Sequence, residues 1–234
     1  MSSNDSQSTS KLLLAGYIAG PFFIVVSLLQ AFTREGFDWI RHPASLLSLG
    51  DLGFIQIANF VVTGALFIAC AIGLKRIVTT GVGRKWLSRL FALVGIAFIL
   101  GGVFVADPAF GFPAGTPEGM PKTMSWHSII HGIAPVIGSF AISAALIIFA
   151  RRLWQQGQRG ASIVPVLVVI VSFVLSALPQ ITGDWQKGEF NFLPLWIGVA
   201  LVYCYAGVVV ATLKSEWATG ALHQDQRARS MEAA

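Results

Sequence analysis

Six stretches of the chain stay apolar long enough to cross a bilayer: Leu12–Phe32, Phe54–Leu74, Leu90–Ala106, Ser128–Ala150, Ser162–Thr182 and Leu193–Leu213. Polar residues, Gly and Pro collect between them. About 20 residues at roughly 1.5 Å each cover a hydrocarbon core. None of the six runs contains Asp, Glu, Lys or Arg. Lipid offers backbone groups no partner, so such runs are helices; barrel strands would be shorter and would alternate. The pattern predicts an all-α, polytopic membrane protein. Its transmembrane domain is a bundle of six helices over 12–213, with a short disordered polar tail at 1–11 and a polar tail at 214–234. The first run exceeds the roughly 7–15 residues of a signal-peptide core, and no A-x-A site follows it. No repeat of span triplets points to an inverted-repeat transporter.

Composition narrows the class. Of 234 residues, 55% are hydrophobic and 12% charged, against about 25% charged in a soluble domain. This excludes a soluble globular protein, a disordered chain and a disulfide-built module. Cys70 and Cys204 sit inside apolar runs and read as small buried residues. The net charge is +5, yet the bases lie in short clusters between spans, which argues for lipid and against nucleic acid as the partner. Twelve of the sixteen Lys and Arg, including Lys75, Arg76, Arg84, Lys85, Arg89, Arg151 and Arg152, fall on one side. That bias predicts both termini in the cytoplasm and residence in the inner (plasma) membrane. Trp86, Trp126, Trp154, Trp185, Trp196 and Trp217 lie near span ends, as an aromatic belt would. Gly16 with Gly20, and Ala134 with Gly138, are small-xxx-small pairs that suit contacts within the subunit or in a homo-oligomer.

Candidate chemistry collects on the extracytoplasmic side. Residues 107–122 alternate Gly and Pro from Gly111 to Pro121. Such a segment forms successive turns, either a stiff connector or a lid over a pocket. It is followed by His127 and His131, which share one helix face at i, i+4. Pro135 then removes the donor to the His131 carbonyl. Asp107, Asp184 and His42 lie on the same side, with Ser45 and Ser48 near His42. Two readings stand side by side. In one, His127, His131, Asp107 and His42 are metal ligands that suit Zn²⁺, Asp184 orients a His or acts as base, and Ser45 or Ser48 binds substrate. In the other, the same residues are a hydrogen-bond network pinning helices together.

The residues His42-Pro-Ala-Ser45, Ser48-Leu-Gly50, the run Asp107–Pro117, and Trp126-His127 with His131 resemble a family. It is the uncharacterised prokaryotic family of six-helix membrane proteins catalogued as domain of unknown function nine-nine-eight. The resemblance spans nearly the whole chain and implies an integral inner-membrane protein. It brings no activity, substrate or cofactor. A looser likeness is to membrane hydrolases of the ceramidase and progestin-receptor-like type, which set HxxxH, another His, an Asp and a Ser around zinc. Here HxxxH lies on the fourth of six helices, and the third His would be His42. Three function classes follow: a non-enzymatic membrane component with an unidentified membrane partner, a metal-dependent hydrolase of a lipid or lipid-linked substrate, and a carrier of a small apolar solute.

Overall fold

The computed structural model describes residues 3–184 and 189–220. Trp185, Lys187 and the tail residues 221–234, His223 among them, lie outside the described residues. Six α-helices follow one another among the described residues: α1 (Ser3–Thr33), α2 (Gly53–Ile77), α3 (Leu87–Val103), α4 (Trp126–Gln155), α5 (Arg159–Thr182) and α6 (Leu193–Ala218). A short 3₁₀ turn spans Ala44–Ser48 before α2. Five of the helices are long and apolar enough to cross a membrane, and α3 is a shorter apolar helix. The six predicted runs each fall on one helix.

Where boundaries differ, a partner explains it. The expected disordered head is helical from Ser3 onward. Thr9 is fully buried, and the Arg76 guanidinium of α2 donates to the Ser8 and Thr9 hydroxyls. At the other end of the chain α6 runs on to Ala218, because Glu216 pairs with Arg152 of α4 at 2.9 Å with both side chains nearly buried. α3 ends at Val103 and not at Ala106. Its last carbonyls turn outward to side chains of α4, described below.

The helices pack in a chain of neighbours, α3 against α2 and α4, α5 against α4 and α6, and α6 back against α1. Small residues let the backbones approach. A methyl group at Gly64 of α2 would sit 2.5 Å from the Gly95 carbonyl of α3, and one at Gly95 would sit 2.5 Å from the Gly64 carbonyl. Gly20 of α1 meets the Tyr203 carbonyl of α6 in the same way. Leu13, Leu74, Leu87, Leu146 and Leu213 are fully buried around this seam. A buried polar ladder joins α1 to α2: the Gln30 amide donates to Gln56 Oε1 at 2.7 Å, and the Asn59 amide donates to the Phe23 carbonyl at 3.1 Å.

The loops 78–86 and 156–158 lie at one end of the bundle, the basic end. The segments 34–52, 104–125 and the described parts of 183–192 meet at the other and build a cap. Phe37, Leu47, Phe110, Phe112, Phe190, Phe192 and Trp196 form its apolar centre.

Candidate functional site

The cap is pinned by His42. The Asp38 N–H donates to its Nδ1 at 2.9 Å, so the ring proton is on Nε2, which donates to the Phe110 carbonyl at 2.9 Å. The His42 carbonyl in turn accepts from the Trp196 indole at 3.1 Å. One residue therefore joins the first cap segment to the second and to α6. Burial, the largest influence, lowers the His42 pKa; Arg41 adds to this, while the Phe110 carbonyl, Asp38 and Glu118 oppose it. The Arg34 guanidinium binds the Leu47 and Leu49 carbonyls and lies over the Phe112 ring. Trp196 is thus a buried cap residue and not part of a lipid-facing belt.

His127 and His131 are both turned toward the end of α3. His131 Nδ1 is 2.9 Å from the Gly101 carbonyl and 2.8 Å from the Phe104 carbonyl. His127 Nδ1 is 2.8 Å from the Val105 carbonyl. These are carbonyls that a helix end leaves without intrahelical donors. Each ring must carry its proton on Nδ1, the opposite tautomer to His42. The i, i+4 spacing that places both rings on one face of α4 thereby caps α3 and explains its early stop.

Asp107 joins the same corner. Its carboxylate accepts from the Ser125 hydroxyl at 2.6 Å and the Ser125 N–H at 2.7 Å, and its own N–H donates to Ser128 Oγ at 3.1 Å. The two Ser125 bonds hold its pKa below the usual carboxylate range. Ser125 Oγ also accepts from the Ser128 N–H, capping α4, and lies 3.1 Å from His127 Nδ1.

The structure thus brings His127, Asp107 and His131 to the α3–α4 corner, and places the other candidates elsewhere. His42 is in the cap with both ring nitrogens bonded. Asp184 exchanges two backbone bonds with Glu189. Ser48 is buried, its hydroxyl without a partner. Among the described residues no three His, Cys, Asp or Glu side chains form a group that could hold a metal ion. The Gly/Pro loop packs into the cap through Phe110 and Phe112 and contributes no residue to the cavity described next, so it is a wedge and not a lid.

A cavity of about 530 Å³ lies under the cap, lined by residues of all six helices. Pro43, Ala44, Ser45 and Trp196 stand on the cap side; Phe23, Phe60, Phe98, Ala97 and Tyr203 line its depth. His131, Ser139, Ser176 and Gln180 are its polar lining residues on α4 and α5. The lining residues exposed on the outside of the bundle are Pro135, Val136 and Phe140 of α4 and Phe173 and Gln180 of α5. The mouth therefore opens sideways, between two helices. Phe140 and Phe173, with ring centres 5.4 Å apart, close it toward the basic end. Sequence reasoning missed this cavity. The signal was faint: Pro135 and Pro179, one in each helix at the mouth.

A family model described as Protein of unknown function (DUF998) matches residues 17–214, from α1 to the last turns of α6, and the chain belongs to that family. No curated protein and no solved structure matches it.

Proposed function

We propose that this is a six-span protein of the plasma membrane, with both termini in the cytoplasm, that takes an apolar molecule from the outer leaflet into the cavity beside α4 and α5. The orientation is supported by the twelve bases on one side, which make the basic end cytoplasmic under the positive-inside rule. α3 supplies the sixth crossing: it packs along α2 and α4, and at about 25 Å it needs only a thinned or tilted seat.

The observation that carries the functional reading is the sideways mouth. Every exposed lining residue belongs to α4 or α5, and of the five all but Gln180 are apolar. A pocket of this size is typical of small-ligand sites, which run from about 300 to 1,000 Å³. A ligand entering here comes from lipid and not from water. The polar groups at the helix ends are occupied in capping α3 and α4, which favours binding or carriage over hydrolysis.

The test is photocapture. The protein is reconstituted in vesicles with a diazirine-bearing hexadecane and irradiated. Adducts are expected on residues 131–140 and 173–180. Ala177, a lining residue, replaced by Trp should abolish those adducts while the protein still elutes as a folded species. Adducts spread evenly over the lipid-facing residues Ile163, Leu167 and Ile170, unchanged in Ala177→Trp, would overturn the reading.

A further inference from the structure

We infer that the cavity selects a single-chain lipid with an uncharged hydroxyl head, and that His131 accepts the hydrogen bond from that hydroxyl. This rests on the cavity being a lipid site as proposed above. His131 lines the cavity and is only 7% exposed. Two carbonyls, those of Gly101 and Phe104, take its Nδ1. The proton is therefore fixed on Nδ1, and Nε2 is left as an acceptor. No described residue donates to it. The next group along the same helix adds to this: Pro135 has no N–H for the His131 carbonyl, its usual partner one turn back. An acceptor in an apolar cavity calls for a donor, and an O–H supplies one.

Charge excludes the other heads. No Lys, Arg, Asp or Glu is among the lining residues. A phosphate or carboxylate brought to His131 would be desolvated with no cation beside it, and an ammonium with no carboxylate. Position agrees with this. His131 is five residues into α4, about 7 Å along its axis, just inside the hydrocarbon, where a hydroxyl enters far more cheaply than a charge. The volume of about 530 Å³ suits one chain beneath that head.

The experiment is a competition on the unmodified protein in vesicles, with the diazirine hexadecane as reporter. The competitors are 1-hexadecanol, its methyl ether, palmitate at neutral pH and hexadecyl phosphate. The ether keeps the oxygen and the chain and replaces the donor hydrogen with a methyl group. Hexadecanol is expected to compete about tenfold or more better than the ether, and the phosphate worst of all. His131→Phe should keep reporter capture and bring alcohol and ether to equal potency. If alcohol and ether compete equally on the unmodified protein, the hydroxyl assignment is wrong and the lipid site stands. If palmitate or the phosphate wins, the uncharged head is wrong. If the reporter is not captured at all, the lipid site fails and this inference with it. Because the ligand series needs no variant, misfolding of His131→Phe leaves the answer intact.

Discussion

The two halves of the bundle are built on opposite rules. From its waist to the basic end, the helices close on one another through Gly64 and Gly95, and fully buried leucines fill what remains. Toward the cap, α4 and α5 part and leave a cavity. The cause lies in what each helix is tied to. At the basic end the two are joined by the short turn 156–158. Toward the cap α4 is bound to α3 by His131 and to the segment just after α3 by His127 and Ser128, whereas α5 is held to α6, where Gly198 packs on the Ser172 carbonyl. Two helices fastened together at one end and to different neighbours at the other must diverge. In a soluble protein water or a side chain would fill the gap; in lipid an apolar chain can.

The largest effects are expected in the closed half. Arg152 and Glu216 form a nearly buried pair across α4 and α6. Arg152→Met strands a carboxylate and should cost about 3–5 kcal/mol. The double variant Arg152→Met with Glu216→Leu should recover most of that loss. Thermal unfolding in detergent reads both. If the double variant is as weak as the single one, the pair does more than neutralise itself.

Next comes the seam. Gly95→Val places carbon within 2.5 Å of the Gly64 carbonyl. Backbone facing backbone cannot yield as a side chain can, so a cost of about 3 kcal/mol is expected, near the upper end for overpacking. Gly132, on the open side of α4, has nothing within 4 Å of an added methyl group. Gly132→Ala should leave unfolding unchanged or raise it slightly, since Ala is the better helix former. Equal losses at the two glycines would mean that the halves are not packed differently.

A smaller effect tests the α3–α4 corner. Ser125 caps α4 and holds Asp107. Ser125→Ala removes the cap and should cost about 1 kcal/mol. Exchange of amide hydrogens should speed up at 126–130 and at 104–108, and not in the closed half.

This contrast also marks what the sequence made legible. All six helices could be read from it, because an apolar run free of charge has one solution in lipid. The early end of α3 could not, because it depends on His127 and His131 reaching across from α4. Their i, i+4 spacing says that they share a face and leaves open whether that face meets a metal or a helix end. The cavity was hidden for a related reason. The pattern of α5 holds one weak sign, Ser172, Ser176 and Gln180 at i, i+4 and i+8 on one face, two of which line the cavity; among its apolar residues nothing separates those on the outside, such as Ile170, from those that line the cavity, such as Phe173. In a soluble helix polarity would mark the outside; here the few polar residues mark the inside. Trp196 shows the converse. Its place near a span end suggested an interfacial indole, whereas its partner, the His42 carbonyl, lies 154 residues away in the chain.

The smallest effect is a pH dependence, and it separates the cap from the corner beneath it. His42 has a folded pKa lowered chiefly by burial, and its Nδ1 already accepts the Asp38 N–H. Above the ordinary His value of about 6.5 the ring is neutral both folded and unfolded, and pH does not matter. As pH falls below that value, the unfolded or opened cap takes up the proton and the closed cap does not. Closure therefore weakens progressively on acidification, until the pH drops below the folded pKa. Asp107 has the opposite sign. Its folded pKa is depressed by Ser125, so its contribution is complete above the ordinary carboxylate value of about 3.9 and is lost only as pH falls through the lower folded value. Between about pH 6.5 and 5 only the cap should loosen. A cysteine at Ala114, an exposed residue of the same cap loop, carries a fluorophore whose anisotropy reports the cap. Anisotropy should fall over that window while the protection factors of the amides at 126–130, exchange rates divided into the intrinsic rate at each pH, stay constant. In His42→Gln the pH response should vanish, leaving a cap whose mobility no longer depends on acidification. A response that persists in His42→Gln would show that His42 is not its source.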